Sequence, residues 1–344
     1  MLQKFFLKGF LVSIISGHLC VFYGRILAGD IMKVTENITA VFNYLDRLSE
    51  SYSKTLNKSY LEGLKEALNY LLDDVVSFEN TQLLEHFETE KAEIIDQNYP
   101  KETIRKSIQL ALLRGFKYDR ITNAQMTPDS IGIFLSYLVK KLYNQENIKV
   151  LDPLIGTGNL IAAMSNHLES TVSVHGIDDD PLMCDLARNM FDALEIDHQI
   201  FHQDTLTFNH ALYDLLVTDF PPKSVSQKSG YLPYYTIAHH LEHLQVGQYF
   251  IAIIENDFFD QKEHITFRKI LDEKAHLFGI IKLDESLFKT HPKSILILKK
   301  KADPKEKIND FLIVDLPSFS DREAFNKALY KMEQWFTKKE VDVQ

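Results

Sequence analysis

From residue 148 onward, short apolar runs rich in β-branched residues alternate with longer stretches of helical periodicity, and this alternation constrains the fold most. Parallel strands buried on both faces are continuous apolar runs, and each needs a crossover, usually a helix, to reach the next. The pattern predicts an α/β domain with a doubly wound, mostly parallel, seven-strand sheet. The predicted strands are 148–152, 171–177, 198–202, 214–218, 248–255, 277–283 and 294–299, with 311–315 a candidate eighth. The predicted helices between them are 159–168, 181–194, 233–244 and 264–274.

Residues 34–118 show helical periodicity only. Leucines recur there at spacings of three and four, and no alternating β-branched run interrupts them. We therefore predict an all-helical domain over residues 32–118 and an α/β domain over 119–344, the latter opening with a helix that starts at Thr127-Pro128.

Residues 1–31 differ from the rest, because two lysines precede a mostly apolar stretch at 9–22. Three interpretations stay open. The one we favour is a mis-assigned start, since Ala28-Gly29-Asp30 can be encoded by a purine-rich ribosome-binding sequence just before the codon of Met32. The others are a signal or membrane segment and an extra helix; the stretch is shorter than the roughly 20 apolar residues of a membrane span. We expect a cytoplasmic protein without membrane contact unless this segment is real.

Charge and cysteine content exclude several classes. The chain has 38 basic and 48 acidic residues, a formal net charge of −10, which disfavours a protein that wraps nucleic acid by neutralising phosphates. Two cysteines cannot form a disulfide framework or a four-cysteine zinc site.

His239, His240 and His243 lack a Glu-x-x-His context, so we interpret them as helix-surface residues and expect no metal.

The strongest motif is the segment 150–159, Val-Leu-Asp-Pro-Leu-Ile-Gly-Thr-Gly-Asn. It places Asp152 at a strand end, then a Gly-x-Gly turn at Gly156 and Gly158, then a helix start. The first βα crevice of an open α/β sheet is where nucleotide-like ligands bind. The third glycine of the dinucleotide fingerprint is replaced by Ile161, and no Gly-Lys-Ser follows. The motif suits a ligand with a cationic or zwitterionic tail better than a pyrophosphate.

Two further carboxylates follow the next two predicted strands. Asp178 stands at the position where an acidic residue accepts ribose hydroxyls, and Asp180-Pro181 is typical of a helix start. Asp204 follows the third strand, where a carboxylate can accept a hydrogen bond from an adenine amino group.

These three acidic strand ends, in this order, resemble the class I S-adenosylmethionine-dependent methyltransferases, whose fold is Rossmann-like. A narrower resemblance is to the adenine-specific N6 DNA methylases, including the modification subunits of type I restriction systems. It rests on the helix start Met126-Thr127-Pro128 and on residues 283–288 followed by 294–298. The similarity covers about residues 120–300, and the amino-terminal helices resemble the helical extension of short bacterial relatives.

The resemblance implies S-adenosylmethionine as the cofactor. Its ribose would be held by Asp178 and its adenine by Asp204. The methionine part would be held by residues of the first motif and the preceding helix start: Thr127, Asp152, Pro153, Gly156, Thr157, Gly158 and Asn159.

Amino-methylating relatives end their fourth strand in Asn/Asp/Ser-Pro-Pro-aromatic. A side-chain oxygen and a backbone carbonyl there accept the two N–H groups of an amine, and the aromatic ring stacks on an extruded base. The corresponding catalytic candidates here are Asp219, Phe220, Pro221 and Pro222. In one alignment Asp219 takes the polar position, Phe220 and Pro221 take the proline pair and Pro222 takes the aromatic position. In the other, Pro221-Pro222 takes the proline pair, with Phe220 at the polar position and Lys223 at the aromatic one.

In both alignments the stacking ring is missing unless Phe220, Tyr231, Tyr234 or Tyr235 substitutes. We expect methyl transfer to an amino group, by resemblance adenine in DNA, with Asp219 and the Pro221 carbonyl polarising the amine. The alternatives are a catalytically degenerate regulatory protein that binds the cofactor, and a methyltransferase for a protein or small-molecule amine.

Overall fold

The computed structural model describes residues 28–92, 94, 98–122, 126–222, 230–288, 290–307 and 310–343. The amino-terminal part of these residues is helical, as predicted. A capping box of Ser59 and Glu62 starts its second helix, with the Ser59 side chain accepting from the Glu62 N–H. The four helices are α1 (Ala28–Leu56), α2 (Tyr60–Asp73), α3 (Thr81–Ala92) and α4 (Lys101–Tyr118). Residues 1–27 lie outside the described residues, so the interpretations of that segment stay predictions.

The rest of the described chain alternates strands and helices, which confirms the predicted α/β class. Its strands are β1 (Asn147–Asp152), β2 (Thr171–Asp178), β3 (Asp197–His202), β4 (Tyr213–Asp219), β5 (Leu244–Glu255), β6 (Ala275–Lys282), β7 (Lys293–Lys300) and β8 (Leu312–Asp315). Its helices are α5 (Asp129–Leu142), α6 (Asn159–Ser165), α7 (Pro181–Ala193), α8 (Leu232–His240), α9 (His264–Lys274) and α10 (Arg322–Val343).

The strands form one sheet in the order β3-β2-β1-β4-β5-β7-β6-β8. The pairs β5–β7 and β6–β7 are antiparallel and the remaining pairs are parallel, so β7 alone is reversed among these eight strands. The candidate eighth strand is therefore present, and the sheet is mixed but mostly parallel. The strand order reverses between β1 and β4, and ligands of open α/β sheets bind at the carboxyl ends of strands beside such a point.

The amino-terminal helices pack on one side of this sheet. Their buried side chains form one continuous apolar cluster with the face that carries Val150, Val174 and Leu215, while Leu151, Ile177 and Leu216 belong to the cluster on the other face. A hydrogen bond from Asn189 Nδ2 to the carbonyl of Lys65 (3.2 Å) also joins α7 to α2.

Element bounds differ from the predicted ones at a few places. The helix predicted over 159–168 ends at Ser165, and that over 233–244 ends at His240, followed by a 3-10 turn, Leu241–His243. Helix α10 stands where no element was predicted. Among the described helices, none has the length and apolar character needed to cross a bilayer.

Candidate active site

The turn between β1 and α6 contains the Gly-x-Gly motif. Gly156 (φ +52°) and Gly158 (φ +76°) both adopt the left-handed conformation that favours glycine. A Cβ on Gly158 would lie 2.9 Å from Cζ of Phe191, so that position also has no room for a side chain. A Cβ on Gly156 would meet no atom within 4 Å. The turn therefore leaves open space at Gly156, as a ligand cradle requires.

Asp178, at the end of β2, lies directly beside this turn. Its Oδ2 accepts a hydrogen bond from the Gly156 N–H (3.0 Å), and its Oδ1 accepts one from the Asp180 N–H (2.9 Å). Partial burial raises the pKa of Asp178, while these two N–H groups act against the rise. The glycine bend and this carboxylate thus line a single crevice at the carboxyl ends of β1 and β2.

Asp152 ends β1 beneath the turn and is 1% exposed. Its Oδ1 accepts a hydrogen bond from the Leu154 N–H (3.0 Å). Burial, together with the nearby carboxylates of Asp219 and Asp178, raises the pKa of Asp152 to about 7, while the hydrogen bond from the Leu154 N–H acts against the rise. A cation bound nearby would favour its ionised form. Pro153 and Thr157, in the same turn, are buried.

Thr127 connects the turn to the loop after β4. Asn159 Nδ2, at the start of α6, donates to the Thr127 carbonyl (3.2 Å), and the Thr127 hydroxyl donates to Asp219 Oδ2 (2.7 Å). Arg105 of α4 reaches the same place. Its fully buried guanidinium donates to Asn159 Oδ1 (3.3 Å) and to both carboxylate oxygens of Asp129 (3.0 and 2.9 Å). The helical part therefore contacts the start of the glycine-turn helix.

Asp204 follows β3 and caps a short 3-10 turn, Thr205–Thr207, by accepting from the Leu206 N–H (3.0 Å). The residue before it is joined to the crevice, because the Gln203 N–H donates to the Asp178 carbonyl (3.0 Å). The structure thus places Asp204 at the strand end next to that of Asp178.

Asp219 and Phe220, at the end of β4, share one nitrogen. The buried ammonium group of Lys293, 2% exposed, pairs with Asp219 Oδ1 and donates to the Phe220 carbonyl (2.9 Å). From the sequence we expected the Pro221 carbonyl to partner Asp219; the carbonyl that converges with it is that of Phe220. Lys293 itself was missed, although it directly precedes a predicted strand.

Three of the candidate stacking rings are in the core. Phe220 is buried, and Tyr231 packs edge-on to Tyr234. Tyr234 stacks on Phe267 with 4.1 Å between ring centroids. Tyr235, by contrast, is 47% exposed. Tyr235 is therefore the candidate ring left that could replace the missing aromatic residue. Lys223, which takes the aromatic position in the second alignment, lies outside the described residues.

Near the exposed ring is a pocket of about 220 Å³ lined by Pro221, Gly230, Tyr231, Leu232, Pro233 and 261–263. It adjoins the loop after β4. The Pro222 side chain of the same loop is buried.

The histidines of α8 and the following turn are not surface residues. His240 is fully buried and His243 is 6% exposed, while His239 is half-buried. The interpretation as helix-surface residues is wrong for His240 and His243, because the connection from β3 to β4 packs over them: Thr205 contacts His240, and the Phe208 ring packs on that of His243. His239 is partly exposed, and its Nε2 lies 2.7 Å from the Phe208 carbonyl.

A mostly parallel α/β sheet with a glycine turn and carboxylates at adjacent strand ends defines a class I S-adenosylmethionine-dependent methyltransferase fold. Comparison with known families agrees. Residues 122–343 match the model of the N-6 DNA methylases, and residues 39–116 match that of the YtxK N-terminal helical domain. The chain therefore belongs to the N-6 DNA methylase family and is a methyltransferase of this type at the family level.

The chain is also similar to individual proteins. The chain is 31% identical to the uncharacterized protein YtxK of Bacillus subtilis over 329 residues, covering 88% of this chain and 98% of that protein. It resembles a structure described as a class I S-adenosylmethionine-dependent methyltransferase from Listeria monocytogenes (TM-score 0.79, 28% identity, 88% and 99% of the two chains). It shares the fold of a type I restriction-modification methyltransferase subunit from Streptococcus thermophilus (TM-score 0.58, 15% identity, 88% and 74%).

Proposed function

We propose that this chain binds S-adenosylmethionine across the crevice at β1 and β2 and transfers its methyl group to the exocyclic amine of adenine in DNA. The observation that carries the proposal is the convergence of the Asp219 carboxylate and the Phe220 carbonyl on one nitrogen. These are the side-chain oxygen and backbone carbonyl that an amine-methylating site needs. Through Thr127, the same Asp219 is joined to the glycine-turn helix.

The residues around the crevice fit the cofactor. The two oxygens of Asp178 have acceptor capacity left after their two N–H bonds, which suits the two hydroxyls of a ribose. Asp204, at the next strand end, suits the adenine amino group. Asp152 would face the cationic methionine end, and the open space at Gly156 would admit it. The remaining residues proposed for the methionine end are Thr127, Pro153, Thr157, Gly158 and Asn159.

When bound, the cofactor supplies an activated methyl group. The chain's own contribution is to hold the acceptor amine by its two N–H groups, at Asp219 Oδ1 and the Phe220 carbonyl, so that its lone pair is directed towards the crevice. Lys293 must withdraw its ammonium group for this to happen, because it bonds to both atoms. Tyr235, the exposed ring among the candidates, would be the side chain that stacks on an extruded base.

The test is transfer of labelled methyl from S-adenosylmethionine to separate pools of DNA, RNA, protein and small amines. We expect labelled adenine in DNA. Asp219→Ala should abolish the transfer while leaving cofactor binding intact. Glu263→Gln, which changes a carboxylate of the neighbouring pocket, is the matched control and should keep the activity. Label in protein or small amines, with none in DNA, would contradict the proposed acceptor.

A second candidate function is a regulatory protein that binds the cofactor without catalysis. Two observations favour it. Lys293 already bonds to both proposed amine acceptors, Asp219 Oδ1 and the Phe220 carbonyl. In addition, Phe220 and Pro222 replace the first proline and the aromatic residue of the motif. This candidate predicts tight binding of S-adenosylmethionine with no labelled acceptor in any pool. Lys293→Met would then create transfer activity only if the ammonium group is what blocks the site.

A further inference from the structure

We propose that His239, His240 and His243 form a site for a zinc ion. The three residues lie at the end of α8 and in the 3-10 turn that leads into β5. The proposed cofactor crevice lies at the carboxyl ends of the parallel strands, whereas β5 only begins after this turn. The zinc site therefore lies outside the β1–β2 crevice, and it adjoins that crevice only through Thr205, which contacts His240 and directly follows Asp204.

The geometry brings ligand atoms together. One ring nitrogen from each histidine lies within 4.8 Å of the others, and among the described residues this is the cluster of three that could hold a metal ion. Three ligands at a Zn–N distance of about 2.0 Å would be a little over 3 Å apart in a tetrahedral site. Binding one ion therefore requires the three nitrogens to approach one another by at most about 1.5 Å.

The Nε2 atoms of His239 and His240 already have hydrogen-bond partners. His239 Nε2 must donate to the Phe208 carbonyl (2.7 Å), because a carbonyl only accepts, and its lone pair is therefore on Nδ1. His240 Nε2 lies 2.8 Å from the Thr205 hydroxyl. Metal-bound histidines characteristically use the second ring nitrogen in this way, on a carbonyl or another oxygen.

The remaining nitrogens lack partners. His240 Nδ1 and His243 Nδ1 are buried, and neither has a hydrogen-bond partner in the part of the chain that the structure describes. A buried polar atom without a partner destabilises the fold, and two of them in one cluster call for a ligand. A zinc ion would satisfy both at once.

Burial keeps the rings of His240 and His243 neutral, as a metal ligand requires. Burial lowers the pKa of His240 to about 3 and also lowers that of His243. The charged groups that face His243 are Glu242, which favours its protonation, and Lys300, which opposes it; Glu242 is paired with Lys274. His240 and His243 are therefore uncharged nitrogen ligands at neutral pH.

An opening leads to the cluster. A pocket of about 540 Å³ is lined by His239 and His243, together with Glu242 and residues 207–212. Three histidines with an open fourth position are a zinc arrangement that takes a water or another ligand from the solvent side. Nitrogen ligands without a thiolate or a free carboxylate favour zinc over magnesium or calcium. The sequence alone predicted no metal because neither a Glu-x-x-His spacing nor a nearby cysteine marks the cluster.

The experiment uses the full chain, stripped with a chelator and then titrated with Zn²⁺ against a chromophoric competitor. We expect one zinc ion per chain, and visible ligand-field absorption when Co²⁺ replaces zinc. His243→Asn should raise the zinc Kd by more than about 100-fold, and Thr205→Val, which removes an outer partner, by about 10- to 100-fold. His210→Ala is the matched control, since His210 lines the same pocket outside the triad.

His243 is buried, so its variant must first keep the wild-type circular dichroism spectrum. If it does not, His239→Gln replaces it, because His239 is only half-buried. Absence of zinc binding by the wild type, or an equal loss in His210→Ala, would overturn the proposal. The zinc titration is carried out without S-adenosylmethionine, so its outcome is independent of whether the proposed function holds.

Discussion

The prediction that bears most directly on the cofactor crevice concerns Asp178. Its two carboxylate oxygens each accept one backbone N–H, from Gly156 at 3.0 Å and from Asp180 at 2.9 Å, and would each accept one ribose hydroxyl. Asp178→Asn removes the charge and converts one acceptor oxygen into a donor. The variant loses one charge-assisted hydrogen bond to the ligand and weakens the other.

Hydrogen bonds to charged groups contribute about 1.5–3 kcal/mol each. We therefore expect Asp178→Asn to weaken binding of S-adenosylmethionine by about 2–4 kcal/mol, roughly a 30- to 1,000-fold increase in Kd. The assay is isothermal titration calorimetry of the full chain with S-adenosylmethionine.

The matched control is Asp179→Asn. This change removes the same charge one residue further on, from an exposed side chain, and should alter the Kd by less than about threefold because long-range electrostatics are screened by salt. If both variants bind alike, or Asp178→Asn binds as the wild type does, Asp178 does not hold the ribose.

Three other predictions follow from the same structure. Burial holds the pKa of Asp152 near 7, and a cationic ligand needs the ionised form of this carboxyl. The affinity for S-adenosylmethionine, measured by titration calorimetry, should therefore rise as the pH increases through about 7. In Asp152→Asn this rise should be abolished, and its persistence would contradict the assignment. Gly156→Ala should weaken cofactor binding by more than about tenfold. Gly247 has φ +78° and equally open space, so Gly156→Ala and Gly247→Ala should each lower the free energy of unfolding by ~1 kcal/mol in chemical denaturation. Gly247→Ala should leave the affinity for the cofactor unchanged. Arg105→Met should lower the free energy of unfolding, measured in urea, by about 3–5 kcal/mol, because it removes the ion-pair partner of the buried Asp129 carboxylate. Lys101→Met, at an exposed ion pair, should lower it by less than about 1 kcal/mol. Equal losses would contradict a special contribution of the buried pair.

The sequence predicted well what is local along the chain. Asp152, Gly156 and Gly158 follow one another from the end of β1 into a single turn, and the left-handed conformations of the two glycines follow from glycine chemistry. The parallel order of β1 to β3 then placed Asp178 and Asp204 at adjacent strand ends. The fold class and most strands were therefore predictable from periodicity.

The sequence could not predict contacts between distant segments. Lys293 reaches Asp219 across 74 residues of chain, and Arg105 reaches Asn159 across 54. Nothing in an apolar run tells whether a strand is parallel or antiparallel, so the reversal of β7 was not foreseen. The burial of His240 has the same origin, because helical periodicity does not reveal that the β3–β4 connection packs over that face.

The reversed direction of β7 has a consequence for how such a chain could diversify. Parallel strands bring their last residues to the edge that carries Asp219, but β7 brings its first, Lys293, so the connection that leads into β7 ends beside the oxygens of Asp219 and Phe220. An insertion in that connection would add surface next to the acceptor without altering strand order or the ligand cradle. This is therefore the segment where we would look for acceptor selectivity among chains of the same family.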